Sequence, residues 1–379
     1  MSAPAGLYIH IPFCSAVCPY CDFAVRVAAV PVRARFVKAL VREIELWRNH
    51  WHFPIDTVYF GGGTPSLLSG GELSDILGAA MECLPVRAAP TIFFEANPED
   101  VDETSLALWQ RLAVSYLSLG VQSLVDAELR FLGRRHCAHE AVDALVSSME
   151  AGFTTVSADI IFGLPGQTGA TLAASLDRLM KIGPPHVSCY QLTLHEGTTF
   201  GRWHAHGKLT ELPETVQARY FELVQERLAQ AGYDAYEVSN FASAPGHRSA
   251  HNMKYWSHAP YLGLGPSSHS FDGRSRWWNE SRLSAYEQAL ANGRPIAAAE
   301  RLTDEQLALE ALMLKLRTAE GIEFAEFYRR YGVDLAGING ALCALLAQEG
   351  LALIECGRMQ LTRQGLAVAD GIAARFALE

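Results

Sequence analysis

Near its amino end the chain reads Cys14-Ser-Ala-Val-Cys18-Pro-Tyr-Cys21, a C-x3-C-x2-C run that follows the apolar segment Gly6–Ile11. The run places three thiols in one short loop, and disulfide bonds are rare in a reducing compartment. Such a cluster indicates a metal site or a catalytic site. The other five of the 8 Cys are scattered between Cys83 and Cys356, where buried apolar packing is the commoner role.

Two kinds of metal centre fit three thiolates at this spacing. One is zinc, with His10 or another side chain as the fourth ligand. Structural zinc sites usually contain paired C-x2-C units, however, and the sequence has no second pair. The other is an iron–sulfur cluster, because Cys thiolates are its usual ligands. Three thiolates on a four-iron cube leave one iron open to a further ligand.

Strand and helix signals alternate through the first half of the chain. Short apolar runs predict strands, and apolar residues three and four apart predict helices between them. The predicted strands are Gly6–Ile11, Thr57–Phe60, Thr91–Glu95, Tyr116–Val121, Thr155–Ile161 and His186–Leu192. The predicted helices are Val32–Arg48, Leu73–Cys83, Ser105–Leu112, Ala138–Ala151 and Thr171–Ile182. This alternation is typical of a mainly parallel sheet that is covered by helices.

Six strand–helix units fit before about residue 195, which is too few for a closed barrel of eight units. We therefore predict an α/β fold with a partial (β/α)6 barrel, and a doubly wound sheet is the alternative. Both architectures bind ligands at the carboxyl ends of their parallel strands. The residues at those ends are therefore site candidates, and they are Gly61–Thr64, Glu95, Gln122 and Asp159.

The second half of the chain contains two further regions. Residues 201–300 are less regular, with one clear helix at Glu214–Ala231. Residues 301–379 are predicted to be mainly helical. They also contain two predicted strands, Leu351–Glu355 and Arg358–Leu361, and a helix that begins at Arg363. This order of helices and strands is similar to that of a winged-helix module. We predict three domains: the partial barrel at 1–200, a barrel-completing region at 201–300 and a smaller, mostly helical, winged-helix-like C-terminal domain at 301–379.

Composition and charge exclude several classes of protein. The 379 residues are 49% hydrophobic and 19% charged, which is too apolar for a disordered chain. The net charge of −10 argues against a nucleic-acid partner, so the winged-helix-like region is interpreted as a packing domain. No apolar run reaches the roughly 18 residues of a membrane span. A signal-peptide pattern is also absent, which predicts a cytoplasmic protein.

The cysteine run resembles that of the radical S-adenosylmethionine (SAM) superfamily, including the aromatic residue Tyr20 before the last Cys. Further motifs occur in the order of the coproporphyrinogen oxidase-like branch. They are Gly61-Gly62-Gly63-Thr64-Pro65, Glu-Ala-Asn-Pro at 95–98, Gly-Val-Gln at 120–122, Leu-Gly-Arg at 132–134 and Asp-Ile-Ile-Phe-Gly-Leu-Pro at 159–165. A single tripeptide would be weak support for the resemblance. The ordered set of motifs is strong support, and the resemblance covers nearly the whole chain.

The resemblance implies a 4Fe-4S cluster on Cys14, Cys18 and Cys21, with SAM on the open iron. In this superfamily an electron from the cluster cleaves SAM to methionine and a 5′-deoxyadenosyl radical, while the protein orients the cofactor and excludes water. An electron donor such as flavodoxin or ferredoxin is also implied. The residues implied to bind SAM, or a second SAM molecule, are Tyr8, Tyr20, Gly62, Gly63, Thr64, Glu95, Gln122, Arg134 and Asp159.

Three of these positions have a structural alternative. Arg134 and Asp159 could form a buried ion pair, and Tyr8 could be a half-buried strand tyrosine. The ordered set of motifs favours the ligand-binding interpretation in both cases.

The chain departs from the oxidases in two ways. Oxidases of this branch have a fourth cysteine where Phe23 stands here, and they carry a long extension before the cluster, which begins here at residue 14. Both features match the haem chaperones of the HemW type. The resemblance therefore implies a protein that binds haem and delivers it to haemoproteins, with those of the respiratory chain as the expected acceptors. It also implies peripheral membrane association through these acceptors.

An enzyme of the same branch is the alternative. The chain could be a coproporphyrinogen III oxidase, or a HemN-like radical methyltransferase that uses two SAM molecules. The missing fourth cysteine favours a protein that cleaves SAM but lacks the coproporphyrinogen III dehydrogenase activity.

A second motif, His251-Asn252-Met253-Lys254-Tyr255-Trp256, matches the H-N-x-x-Y-W signature of the same chaperones. Histidine can supply an axial nitrogen to haem iron, and Tyr and Trp can flank the macrocycle. The resemblance therefore implies haem contacts from His251, Asn252, Tyr255 and Trp256. Many relatives have a basic residue at position 250, which is Ala250 here, and Arg248 or Lys254 could meet a haem propionate instead.

Overall fold

A twelve-stranded sheet forms the centre of the computed structural model, which describes residues 4–293 and 295–379. Neighbouring strands from β1 to β6 run parallel throughout. These strands are β1 (Ala5–Ile11), β2 (Ile55–Gly62), β3 (Val86–Ala96), β4 (Val114–Gln122), β5 (Thr155–Phe162) and β6 (His186–Gln191). The six strands predicted from apolar runs are therefore confirmed.

Helices follow these strands and cover one face of the sheet. They are α1 (Val30–Trp47), α2 (Gly70–Cys83), α3 (Glu103–Arg111), α4 (Asp126–Phe131), α5 (Ala138–Glu150) and α6 (Gly169–Ile182). Local signals set their ends, since Ser69 and Glu72 form a capping box at the start of α2 and Gly183, with φ of 73°, ends α6. Phe36, Leu40 and Ile44 of α1 are fully buried in the main core.

The sheet continues beyond both ends of this parallel set. Its added strands are β7 (Asp234–Ala235), β8 (Asn240–Ala242), β9 (Tyr261–Leu264), β10 (His269–Phe271), β11 (Ser275–Asn279) and β12 (Ile296–Arg301). Strand β9 pairs parallel with β1, and β10 to β12 follow antiparallel. At the other end β8 pairs antiparallel with β6, and β7 with β8. Because β12 and β7 do not pair within the described residues, the barrel is partial, as predicted.

Two helices precede these added strands and two lie between them. They are α7 (Thr199–Ala205), α8 (Glu214–Gln230), α9 (Ala250–Trp256) and α10 (Leu283–Ala291). Helix α9 carries the His251–Trp256 motif and packs against β1 and β2. Lys254 fixes it there, because its ammonium group donates to the Pro4 carbonyl at 2.9 Å and lies 2.6 Å from the Asp56 carboxylate.

A smaller, mostly helical unit follows, as the sequence predicts. Its helices are α11 (Asp304–Lys315), α12 (Phe324–Tyr331), α13 (Leu335–Ile338), α14 (Gly340–Gln348), α15 (Arg363–Leu366) and α16 (Ala369–Ala373). Its antiparallel sheet has the order β13, β15, β14, formed by Ile322–Glu323, Arg358–Leu361 and Ala352–Glu355. Leu312, Leu346 and Met359 belong to its own apolar core.

The domain boundaries at 200 and 300 stay predictions, and residues 1–3 of the first domain lie outside the described residues. The C-terminal unit joins the barrel through backbone hydrogen bonds, from Val238 to Arg317 and from Ala319 to Tyr236. Glu310 of α11 also binds Arg276 at 2.6 Å and His258 at 3.1 Å. In the described part of the chain, no helix is long and apolar enough to cross a membrane.

Side chains that alternate along each strand contribute in turn to the apolar core and to the inner face of the sheet. Val58, Phe60 and Phe94 belong to the apolar core, whereas their neighbours Tyr59 and Glu95 line a cavity on the other face. Successive side chains of a strand point to opposite faces, so one strand serves both purposes. The inner face is therefore polar and aromatic, and the carboxyl ends of β1 to β6 meet along one edge.

Candidate functional site

One cavity of about 450 Å³ opens at the carboxyl ends of the parallel strands. It brings together most of the residues that the sequence predicts to bind the cluster and SAM, although these residues are far apart in the chain. They are Cys14, Cys18, Tyr20, Cys21, Gly62, Gly63, Thr64, Glu95, Gln122, Arg134 and Asp159. Asn252 of the proposed haem motif borders the same cavity.

The cluster loop presents three thiols to this cavity. Its backbone is fixed by hydrogen bonds from Cys14 to the Arg26 carbonyl at 3.0 Å and from Cys21 to the Cys18 carbonyl at 3.1 Å. None of the three cysteines is in a disulfide. Burial raises the pKa of the Cys14 thiol and raises that of Cys21 to about 11. The Arg134 guanidinium lies 3.6 Å from the Cys18 sulfur.

The donor set fits a four-iron cube. Within residues 4–293 and 295–379, no three His, Cys, Asp or Glu side chains form a group that could hold a metal ion. A cube does not need such a group, because each of its cysteine ligands binds a different iron. Three thiols on one cavity match a cube with one open iron.

Glycines after β2 keep the backbone close to the cluster loop. Gly62 has φ of 103°, and a Cβ there would overlap the His10 ring. A Cβ on Gly63 would lie 2.5 Å from the Phe13 carbonyl oxygen. Instead, the amides of Gly63 and Thr64 donate to the carbonyls of Ile11 at 2.8 Å and Phe13 at 2.7 Å. The glycine segment is thus attached to the start of the cluster loop and leaves open space beside it.

Glu95 is held at the wall of the cavity by two donors. The Tyr59 hydroxyl donates to one carboxylate oxygen at 2.6 Å, and the Gly62 amide donates to the other at 3.0 Å. Burial raises the pKa of Glu95 to about 7. A carboxylate oriented in this way can accept hydrogen bonds from an ammonium group of a ligand.

Arg134 connects several parts of the site. Its guanidinium donates to the Asn97 side chain and to the Gly120 carbonyl at 3.0 Å, and Asn97 in turn donates to Thr64 at 3.2 Å. The Arg134 Nε is buried, and it has no hydrogen-bond partner in the part of the chain that the structure describes. An unpaired buried donor at a cavity is a position at which a ligand atom can accept a hydrogen bond.

Asp159 lies deeper in the cavity and is held by hydroxyl groups. Ser118 donates to its carboxylate at 3.0 Å and Ser157 at 3.3 Å, while burial raises the pKa of Asp159. Among the described residues, Arg134 and Asp159 do not form an ion pair. Both residues are instead held by uncharged partners, so the alternative of a buried Arg134–Asp159 ion pair is not realised.

The remaining predicted SAM residues occupy the edges. Gln122 lines the cavity at the end of β4 with φ of 65°, a conformation that non-glycine residues rarely adopt. Tyr20 packs against Phe200 with 6.4 Å between the ring centres. Tyr8 instead faces a second cavity of about 400 Å³, and its hydroxyl lies 3.1 Å from His10. Tyr8 therefore borders a different cavity from the other predicted SAM residues, although its ring centre lies 5.9 Å from that of Tyr59, which holds Glu95.

The structure places the four residues of the predicted haem motif in four different surroundings. His251 is 1% exposed, and its ring nitrogens are hydrogen-bonded to Thr57 at 2.9 Å and Tyr255 at 3.0 Å. Burial lowers the pKa of His251 to about 3. Tyr255 lines the second cavity, Asn252 lines the larger one, and Trp256 is half-buried at the end of α9. An iron atom would reach His251 only after a side-chain movement, and the haem contacts stay a prediction.

Several residues of the cavity are not indicated by the sequence motifs. Tyr59 holds Glu95, and its position in a predicted strand next to Phe60 was a usable signal. Asn97 lies inside the quoted Glu-Ala-Asn-Pro motif, yet its bridge between Arg134 and Thr64 depends on the fold. His195 lies 3.6 Å from Asp22 at the border of the cavity, and nothing in the sequence indicates this pair.

Comparisons with known proteins agree with this arrangement. The radical SAM superfamily profile matches residues 8–179, and the profile of the HemN C-terminal domain matches residues 302–368. The haem chaperone HemW of Mycobacterium tuberculosis is 34% identical over 97% of this chain and 94% of its own length. This chain belongs to the HemW family of the radical SAM superfamily. A second HemW, from Synechocystis, is 37% identical over 85% of this chain and 80% of its own length.

A solved structure shows that the HemW family shares its fold with a related enzyme. Coproporphyrinogen III oxidase (HemN) from Escherichia coli superposes with a TM-score of 0.84 at 22% identity, over 98% of this chain and 90% of the oxidase chain. Membership of the radical SAM superfamily implies a 4Fe-4S cluster and SAM as cofactors of this HemW-family chain. The large cavity contains the three thiols and most of the side chains that the sequence predicts to bind these cofactors.

Proposed function

We propose that this chain is a haem chaperone, which binds haem and delivers it to haem-accepting proteins. The observation that carries this proposal is the match with the Mycobacterium tuberculosis haem chaperone, which extends over 94% of that protein at 34% identity. Phe23 adds support, because it stands where the oxidases of this branch have a fourth cysteine. The likeness to HemN, at 22% identity, concerns the fold alone.

The large cavity is the proposed site of the resident cofactors. Cys14, Cys18 and Cys21 would hold the 4Fe-4S cluster, and the Gly62–Thr64 backbone and Glu95 would hold the polar end of SAM. When bound, the cluster supplies the electron that cleaves SAM. The glycine segment supports this assignment, because it leaves space beside the cluster loop that a Cβ at Gly62 or Gly63 would fill.

The side chains around the cavity would orient the bound cofactor. Tyr59 and the Gly62 amide fix Glu95, so that its carboxylate can accept a hydrogen bond from an amino group of SAM. Arg134 would stay beside the Cys18 sulfur, and its buried Nε is available to a carboxylate. Two further residues of the cavity wall, Gln122 and Asp159, are proposed to contact the rest of SAM or a second SAM molecule. Tyr20 would cover the cluster loop, and Tyr8 stays a predicted SAM contact.

The partners beyond haem and its acceptors are also proposals. Val17 and Phe23 beside the cluster cysteines are 49% and 62% exposed, which gives an electron donor such as flavodoxin or ferredoxin an apolar surface near the cluster. We propose respiratory haemoproteins as acceptors, with peripheral membrane association through them. The oxygen-sensitive thiol cluster favours a reducing location, and we propose the cytoplasm.

A haem titration of anaerobically reconstituted protein tests the chaperone function. The expected result is saturable binding of one haem per chain, with a Soret band, and transfer of that haem to the apo form of a b-type respiratory cytochrome. The absence of haem binding at micromolar concentrations would overturn the proposal. Conversion of coproporphyrinogen III to protoporphyrinogen IX, or transfer of a methyl group from SAM, would replace it with one of the two enzyme alternatives.

Substitution of His251 tests the haem role of the motif separately. His251→Ala is compared with His52→Ala, because His52 is an exposed histidine that precedes β2. If the motif provides the axial ligand, only His251→Ala changes the Soret band and the affinity for haem. Equal binding by both variants would show that His251 is not a ligand.

A further inference from the structure

A second cavity lies on the inner face of the sheet, on the other side of the cluster loop. Its volume of about 400 Å³ is within the range of small-molecule sites. Strands β1, β9 and β10 and helix α9 supply its walls, and Asp22 and Phe23 of the cluster loop close one side. The same two residues also line the large cavity, so the cluster loop separates the two spaces.

The walls of this second cavity are rich in aromatic residues. Tyr8, Tyr255 and Tyr261 stand along β1, α9 and β9, and the Tyr255 and Tyr261 rings meet edge to face with 4.8 Å between their centres. Phe23 is 62% exposed and borders the opening. Burial raises the pKa of each of the three tyrosines, which keeps them uncharged at neutral pH. Uncharged aromatic walls suit a flat, apolar ring system.

A histidine stands at the edge of the same cavity. His269 of β10 is exposed, and its ring stacks on Trp278 with 5.6 Å between the ring centres. Its ring nitrogens make no hydrogen bond within the described residues, in contrast to those of His251. Burial of one side of the ring and the charge of Arg276 lower the pKa of His269, so that the imidazole is neutral at pH 7. A neutral imidazole nitrogen is the form that ligates metals.

We propose that this second cavity binds haem, with His269 as an axial ligand of the iron and with Tyr255, Tyr261 and Phe23 against the porphyrin ring. The proposal rests on the chaperone function, since haem is its ligand. It assigns the ligand role to a histidine outside the His251–Trp256 motif. The open side of the cavity leaves the two propionates in water, where their charges need no partner from the protein.

The proposal also gives His251 a role that agrees with its burial. His251 accepts or donates a hydrogen bond at 3.0 Å with the Tyr255 hydroxyl, and its other nitrogen is fixed by Thr57 at 2.9 Å. The histidine thereby orients one wall of the proposed haem site from behind. His251 is then a positioning residue, and Tyr255 is the member of the motif that touches haem.

A titration of His269→Ala in the full-length, cluster-containing protein tests this site. His52→Ala is the matched control, because both histidines are exposed and His52 lies outside the cavity. We expect His269→Ala to weaken haem binding at least tenfold and to shift the Soret band, while urea unfolding and SAM binding stay as in the wild type. Free imidazole at millimolar concentration should restore the wild-type spectrum of haem bound to His269→Ala, which a loss of general packing would not allow.

The outcomes distinguish the site from the function. If wild type and His52→Ala bind haem and His269→Ala binds it equally well with the same spectrum, the second cavity is not the haem site, although the chaperone function stands. If His251→Ala removes the axial signature and His269→Ala does not, the ligand is His251 and this inference is wrong. If the wild type itself binds no haem, the proposed function fails first.

Discussion

Gly62 shows how one residue controls the shape of the proposed SAM site. It combines φ of 103° with a position at which a Cβ would overlap the His10 ring, while its amide binds Glu95 at 3.0 Å. We expect Gly62→Ala to lower the free energy of unfolding by about 2–4 kcal/mol, because the backbone must leave a strained region and the ring must move. The same shift should abolish SAM binding, as measured by calorimetry beside urea unfolding.

Gly71→Ala is the control for this substitution. Gly71 lies in the first turn of α2, and a Cβ there would meet no atom within 4 Å. Alanine in a helix should raise the free energy of unfolding by up to about 1 kcal/mol. Equal losses of stability in the two variants would show that the conformation of Gly62 is not what the site requires.

The raised pKa of Glu95 leads us to expect that SAM binding depends on pH. Burial raises its pKa to about 7, and only the ionised carboxylate attracts the amino group of SAM. The affinity for SAM should therefore rise as the pH increases from about 6 to about 8, by up to tenfold per pH unit below the pKa. In Glu95→Gln this rise should be lost, and a variant profile that still parallels the wild type would assign the titration to another group.

The same raised pKa has the opposite effect on folding. The folded protein binds the Glu95 proton more tightly than the unfolded chain, whose carboxyl titrates near 4.5. The stability from this group is thus fully present below pH 4.5 and is lost as the pH rises through about 7. Bound SAM should offset that loss, since its positive charge favours the ionised form.

At the scale of helices and strands, the accuracy of the prediction depends on the length of the element and on the periodicity of its apolar residues. Strands such as Ile55–Gly62 and helices such as Val30–Trp47 have enough residues to show a clear apolar pattern, and their predicted positions differ from the structure by a few residues at most. Strands β9 to β11 have three to five residues each and were missed. Their pairing with β1 and with each other is a long-range property that local patterns do not contain.

The residues of the candidate site were likewise predicted only where a local sequence pattern indicates them. The sequence identified the side chains at the ends of β2 to β5, because motif and strand end coincide there. It did not identify the second cavity, since Tyr8, Tyr255 and His269 become neighbours only when β9 and β10 are added beside β1. The orientation of His251 away from solvent was equally beyond a pattern of residue types.

Glu43 connects helix α1 to the added strands. Its carboxylate is completely buried, and it accepts hydrogen bonds from the Gly265 amide at 2.8 Å, from Asn279 and from Tyr286 at 2.5 Å. We expect Glu43→Ala to lower the free energy of unfolding by about 2–4 kcal/mol, because three buried donors lose their acceptor. Urea unfolding followed by circular dichroism measures this loss.

Glu45 of the same helix provides the comparison. Its side chain is 46% exposed and pairs with Arg42 at 3.1 Å on the surface. Because exposed ion pairs contribute little, Glu45→Ala should change the free energy of unfolding by less than about 0.5 kcal/mol. A similar loss for both substitutions would mean that helix propensity, rather than the buried contact with β9 and β11, determines the effect.

At the scale of the whole molecule, charge distinguishes the C-terminal unit from the DNA-binding modules that it resembles in outline. Residues 302–379 contain 7 Lys+Arg and 11 Asp+Glu, and the complete chain has a net charge of −10. Non-specific DNA binding depends on the neutralisation of phosphates by basic side chains, with typical dissociation constants of about 10⁻⁴–10⁻⁶ M. This unit has more negative than positive side chains to present to a phosphate backbone, and Glu310 and Arg330 are used in contacts with the barrel.

The full chain should therefore leave the fluorescence anisotropy of a labelled DNA duplex unchanged up to about 50 μM protein, even at low salt, where phosphate contacts are strongest. A basic winged-helix protein in the same buffer shows that the assay responds. Saturable binding that weakens as salt is added would contradict the prediction, because it would require a basic surface that the charge balance does not provide. The contacts of Glu310 and Arg330 with the segment after α9 favour a structural role instead, because they hold the end of the helix that supplies Tyr255 to the second cavity.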